Sequence, residues 1–104
     1  MYRVFRSEWY EKKLWKLDKQ QQREVERFEQ KLKQDPYASK PLTYAFLREK
    51  KFGDKRVLFL VYEEHAAVFL ITIVDKKLQQ QAIDMIKASL DVYHETIEKL
   101  IQKL

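Results

Sequence analysis

Seven cations gather around one apolar stretch: Arg48, Lys50, Lys51, Lys55 and Arg56 surround Gly53–Asp54, and Lys76 and Lys77 follow Val74-Asp75. Ammonium and guanidinium groups fixed on rigid elements can hold a polyanion. They can also stabilise the charge that builds on phosphate oxygens when a phosphodiester is attacked. RNA is the first candidate ligand, and Tyr44 and Tyr62 are the aromatic residues near enough in sequence to stack on its bases. Residues 40–56 hold six cations against Glu49 and Asp54, so most of the formal net charge of +5 lies in that short stretch. The competing account is a solubilising sheet edge, because edge strands carry Lys to block association between sheets.

Other chemistries find little support. The chain has no cysteine, which excludes disulfides and thiolate metal sites. His65 lies in a turn and His94 on the terminal helix, so the two read as separate surface residues and no metal is expected. Glu63 and Glu64 are adjacent and read as turn residues. Gly53 is the single glycine, so no phosphate-cradling glycine loop exists. Ser7, Ser39 and Ser89 lack triad partners, and no cofactor is implied.

A length of 104 residues with 45% hydrophobic side chains fits one domain with one core. No apolar leader and no run of ~18 apolar residues is present, which gives the expectation of a cytoplasmic protein without a membrane partner.

The elements that must position these cations follow from local pattern. Tyr2–Arg6 alternates like a short strand. Ser7 offers an N-cap oxygen to a helix over Glu8–Leu17, with Tyr10, Leu14 and Leu17 on one face. Asp18 with Gln21 makes a capping box for a second helix that ends near Gln34, before Asp35-Pro36. Its apolar stripe is Val25, Phe28 and Leu32. Residues 36–44 read as a loop. Phe46–Phe52, Arg56–Glu63 and Ala67–Val74 then form three antiparallel strands, since connections this short cannot make a parallel crossover. Asp75 would cap one long helix from Lys76 to Lys103. Ile83, Ile86, Leu90, Tyr93, Ile97, Leu100 and Leu104 recur on it at heptad spacing. That stripe either fills the core or, over Tyr93, Ile97, Leu100 and Leu104, packs against a second copy. The fold class is therefore α+β: an N-terminal strand, an αα-hairpin, an antiparallel meander packed on the helices and a long C-terminal helix.

This order of elements and its signposts resemble the RelE/ParE superfamily of toxins from type II toxin–antitoxin pairs. The matching stretches are KLWKLDKQQQREVERFEQKLKQDPYASKPL (13–42), LREKKFGDKRVLFLVYEE (47–64) and VFLITIVDKK (68–77). The resemblance spans roughly residues 1–80 of a single domain over 1–104, in which 76–104 would be a helical extension. It implies a metal-independent endoribonuclease that binds RNA and cleaves mRNA at the ribosome, with a cognate antitoxin as protein partner. Residue by residue it implies catalytic roles for Lys51 (proton transfer), Arg56 (phosphate stabilisation) and Lys77 (leaving group or phosphate). Arg48, Lys50, Lys55, Lys76 and Tyr62 would bind RNA. Two positions depart from the family: a basic position is Glu49 here, and an aromatic acid/base position falls on Ile83. The Lys-Lys pair followed by a helix looks more like the HigB-like branch. The alternatives are a non-catalytic protein of the same fold that associates through its C-terminal helix, and a ParE-like gyrase inhibitor.

Overall fold

A computed structural model describes residues 1–103. Chain order is β1 (Arg3–Arg6), α1 (Glu8–Leu14), α2 (Lys19–Leu32), β2 (Lys40–Pro41), β3 (Leu47–Phe52), β4 (Lys55–Tyr62), a 3₁₀ turn (Glu63–His65) and β5 (Ala67–Asp75). A second 3₁₀ turn (Lys76–Leu78) leads to α3 (Gln79–Ala88) and α4 (Leu90–Gln102). The strands make one sheet in the order β1-β5-β4-β3-β2. The meander β3-β4-β5 is antiparallel, as its short connections require, whereas β1 pairs parallel to β5 with Val4 beside Val68. Lys40–Pro41, expected as loop, pairs with Glu49 and Arg48 as a two-residue edge strand.

Local chemistry fixes the first two helices. The Ser7 hydroxyl accepts from the Tyr10 N–H and donates to the Ile71 carbonyl at 2.7 Å, so one residue caps α1 and ties it to β5. That carbonyl belongs to a bulge: the β4–β5 register shifts between Leu58 and Phe59, and Ile71 has no partner in it. At α2 the Gln21 N–H donates to the Asp18 carboxylate at 2.7 Å, and the Gln21 side-chain oxygen accepts from the Asp18 N–H at 3.4 Å. α1 stops at Leu14, one turn short of its expected end, and Leu17 packs beside the core from the connecting turn.

Helices cover both faces of the sheet. Tyr10, Leu14, Val25, Phe28 and Leu32 of α1 and α2 bury the face carrying Val57, Phe59, Val61, Val68 and Leu70. Ala82, Ile83, Ile86 and Ile97 of α3 and α4 bury the face carrying Leu58, Leu60, Phe69 and Ile71. Trp9 packs with this second group, whereas Trp15 stays exposed beside the Arg6 guanidinium. A bidentate pair links Arg6 to the buried Glu29 at 2.8 and 3.1 Å, and the Tyr10 hydroxyl donates to the same carboxylate at 2.5 Å.

The C-terminal segment differs from its expected single helix. It breaks at Ser89, where φ −119° and ψ 18° leave the helical region, and α4 starts afresh at Leu90. Asp75 makes no side-chain cap. The break lets the apolar stripe serve the chain's own core: Ile97 is fully buried, Tyr93 meets Phe69 edge-on at 5.9 Å, and Leu100 packs alongside. Of the two roles open to the stripe, Tyr93, Ile97 and Leu100 take the first and pack in the chain's own core; its last member, Leu104, lies outside the described residues. Among the described residues no helix is long and apolar enough to cross a membrane.

If α4 is part of the core, Ile97→Ala should lower unfolding free energy by ~2–5 kcal/mol in urea titration; a change near zero would show that the helix is dispensable. A second expectation concerns pH. Burial, followed by the charge of Glu29, pushes the Tyr10 phenol well above its ordinary value of 10.0. A raised group contributes stability in full below its unfolded value and loses it as pH rises towards its folded one. The urea midpoint should therefore fall between about pH 9 and pH 11, with part of the slope due to half-buried Tyr62, which is raised mainly by burial. Tyr10→Phe should flatten that limb, and an unchanged slope would contradict the assignment.

Candidate nucleic-acid interface

The hairpin between β3 and β4 turns at Gly53, whose φ of 59° suits glycine, and closes on the pair Phe52–Lys55. The next pair is Lys51 with Arg56. Directly opposed residues share a face, so the turn places these two cations side by side, on the α3–α4 side of the sheet with Glu49. Lys40, Glu49, Lys50, Lys51 and Arg56 line a cavity of about 380 Å³ with Ala38 and Ser39. Arg56 is only 8% exposed, and its Nη1 donates to the Gly53 and Lys55 carbonyls at 3.3 and 3.2 Å. Both bonds hold the guanidinium at the turn. Glu49 is buried, accepts from the Gln79 side chain and lies 3.9 Å from Lys40 Nζ. Its charge is therefore met from within the protein.

Lys50 points to the other side of β3 and also borders a larger cleft of about 550 Å³, lined in part by Arg27, Lys31 and Asp35. Ala38, Ser39 and Lys50 belong to both hollows, so a charged surface runs from Arg56 around the sheet edge to α2, where Arg27 and Lys31 stand beside Glu24 and Asp35. β2 covers β3 only at Arg48 and Glu49, which leaves Lys50–Phe52 as an open edge. Reading the sequence singled out neither Arg27 nor Lys31. Their spacing of four residues on one helix was the available signal.

The remaining predicted residues lie elsewhere. Arg48 is buried. Its guanidinium donates to the Ala45 carbonyl at 2.8 Å, the Tyr37 carbonyl at 3.1 Å, the Ser39 carbonyl at 2.5 Å and the Ser39 hydroxyl at 2.9 Å. It also sits 5.2 Å from the Tyr37 ring centre. Those bonds commit it to the loop around β2. Lys55 faces the α1–α2 side and meets Asp75 at 2.5 Å, which raises Lys55 and holds the Asp75 carboxyl below its usual value. Lys76 and Lys77 are exposed on the 3₁₀ turn after β5. The Lys76 N–H donates to the Asp54 carbonyl at 3.2 Å, so they flank the same end of the sheet, but neither lines the Arg56 cavity. Tyr62 ends β4, six residues from Arg56 and ~20 Å away along an extended strand. Tyr44 stacks on Phe46 with ring centres 4.9 Å apart, and Lys87 lies over it at 5.9 Å. Ile83 is buried on the inner face of α3, so no aromatic acid or base stands at that position.

No family model matches the chain, and neither does any curated protein. Solved structures do match. A chain of the intact E. coli RelBE toxin–antitoxin complex aligns with a TM-score of 0.64 at 19% identity, covering 72% of this chain and 96% of that one. The Pyrococcus horikoshii OT3 RelE–RelB complex gives 0.66 at 22% identity, covering 72% and 94%. The free form of a mutant E. coli toxin RelE gives 0.68 at 18% identity, covering 82% and 97%. The chain has the RelE fold. At these identities the likeness concerns backbone architecture, and the side chains of the basic cavity must be argued from this molecule.

In this RelE fold Arg48 serves as a strut. Arg48→Lys keeps the charge but loses the planar fork that reaches several acceptors at once. It should cost on the order of 1–3 kcal/mol in urea titration. Faster amide exchange at Lys40–Leu42 should accompany that loss, and a neutral result would free Arg48 for another role.

Proposed function

We propose that this protein is a RelE-like toxin of a type II toxin–antitoxin pair, acting by binding RNA and cleaving mRNA at the ribosome. The observation that carries the reading is the cross-strand pair Lys51–Arg56 in the lining of one cavity, which Lys40 and Lys50 also line. Structures of the same fold include toxins solved with their antitoxins, which supports a protein antitoxin as partner. An acidic segment laid over the cations would neutralise them.

In this proposal the RNA 2′-hydroxyl attacks the adjacent phosphorus. The bond to the 5′-oxygen then breaks, and the proton lost from the 2′-hydroxyl passes through water to that oxygen, giving a 2′,3′-cyclic phosphate and a 5′-hydroxyl. Arg56, held at the turn by its two carbonyl bonds, meets the charge on the non-bridging oxygens without reorganising. Lys51 stands beside it as the second cation. Lys50 and the exposed Lys76 and Lys77 would grip flanking phosphates, each loosened by salt as counterions are taken up again.

One observation favours a second reading, in which the fold binds without cleaving. The residues lining the cavity include no His or Tyr, and Ile83 sits in the core. Among the described residues Glu49 is the only carboxylate that lines it, and it is engaged by Gln79 and Lys40. Gyrase inhibition is a further outcome, which a supercoiling assay would reveal.

Expression of the wild type should arrest growth and yield cleaved ribosome-bound mRNA, mapped by primer extension. Arg56→Ala should lower cleavage by roughly 100-fold or more, the usual effect of removing one oxyanion donor. Lys51→Ala should weaken it less. Growth arrest without cleavage would favour the binding-only reading. Full toxicity in both folded variants would remove the basic cavity from the account.

A further inference from the structure

At the end of the sheet opposite the basic cavity, two histidines far apart in sequence come together with carboxylates. The sequence pattern treats His65 and His94 as unrelated surface residues. The fold instead brings their ring centres to 6.3 Å. The 3₁₀ turn Glu63–His65 closes on Ala66 at φ 47°, a left-handed conformation that costs a non-glycine residue roughly 1 kcal/mol. That turn sets Glu64 and His65 against α4, where His94 and Glu98 lie one helical turn apart.

The geometry points to a binding site for a divalent transition-metal ion of the zinc class, formed by Glu64, His65 and His94, with Glu98 as the supporting carboxylate. One ligand atom from each of the three lies within 4.8 Å of the others. Glu64 Oε1 is 3.8 Å from His94 Nε2 and 4.0 Å from His65 Nε2. A tetrahedral ion with bonds of ~2.0–2.1 Å needs ligand atoms roughly 3.4 Å apart, so small side-chain rotations suffice. Two imidazoles and one carboxylate suit Zn²⁺, Co²⁺ or Ni²⁺ rather than Mg²⁺ or Ca²⁺, which take oxygen ligands. The fourth position would be left to water.

Two further observations support an ion here. Glu98 Oε1 lies 3.7 Å from His94 Nδ1, the ring nitrogen away from Glu64, and its Oε2 is 3.8 Å from His65 Nε2. From behind the His94 ring Glu98 needs only a small rotation to accept from Nδ1, which would leave Nε2 facing the metal. The adjoining cleft, of about 460 Å³, is lined by Glu63, Glu64 and Asp91 and by no Lys or Arg. In a chain of net charge +5 that local acidity draws cations to this end. The bound ion would clamp the β4–β5 turn to α4.

The test uses tag-free protein stripped with chelator. Titration with ZnCl₂ in a calorimeter should show one equivalent bound with a dissociation constant of about 10 µM or tighter. Saturating Zn²⁺ should raise Tm by several degrees, and Co²⁺ should give the intense visible bands of a tetrahedral site. His65→Ala and His94→Ala should each abolish the tight equivalent, and Glu98→Gln should weaken it by ~10–100-fold. Both histidine variants should melt like the wild type in chelator, which shows that they fold. Zn²⁺ binding equally to the wild type and the double histidine variant, or leaving Tm unmoved, would overturn the proposal and leave an ion-pair cluster. RNA cleavage plays no part in this readout, so the site stands or falls separately from the proposed activity.

Discussion

Strands β4 and β5 are buried along almost their whole length, with α1 and α2 on one face and α3 and α4 on the other. A strand covered on both sides has no solvent face on which to carry charge, because an unpaired ion there would lose its hydration without return. Polar chemistry is therefore driven to the ends of the sheet and to its uncovered edge. Arg56 and Tyr62 mark those ends on β4. Around Arg56 the β3–β4 turn gathers cations, and beyond Tyr62 the β4–β5 turn gathers carboxylates and imidazoles. The two ends have opposite character, and a distance of ~20 Å of apolar core keeps them apart.

The same constraint explains the bulge at Ile71. Apolar residues continue without alternation along β5, so period gives no register. The extra residue sets Ile71 outside the pairing and inside the core against α3 and α4. Its carbonyl would otherwise lack a partner. The Ser7 hydroxyl meets it while capping α1, so a single side chain joins β1, the first helix and the middle of β5.

What the sequence revealed divides along the range of the interactions involved. Ser7 and the Asp18–Gln21 box act within a few residues, and both helix starts are legible from them. The three-stranded meander is equally legible, because short turns permit only antiparallel neighbours. The two-residue strand at Lys40–Pro41 has no pattern of its own and exists only through pairing with β3. The parallel seat of β1 beside β5 depends on the rest of the chain folding between them. The break at Ser89 is masked because the apolar stripe continues in phase on both sides of it. Charge counting located the basic region but could not sort its faces. Arg48 and Lys51 look alike in composition, yet one is buried in loop carbonyls and the other opens on a cavity. His65 and His94 failed for the same reason, since only the fold makes them neighbours.

Glu49 tests whether the basic cavity is coherent, because a carboxylate among cations proposed to bind phosphate looks like an error. Its neighbours resolve this. Gln79 reaches it from the start of α3, and Lys40 reaches it from β2. Glu49 thereby fastens the edge strand and the C-terminal helices to the same point of β3, so its charge is spent on holding the cavity walls together. Besides the Lys40–Glu49 pair, Lys50, Lys51 and Arg56 still line the hollow. A wall built this way, with the two carbonyl bonds of Arg56, holds that guanidinium in place before any ligand arrives. Electrostatic stabilisation depends on that condition, since donors that must first reorganise lose most of their advantage.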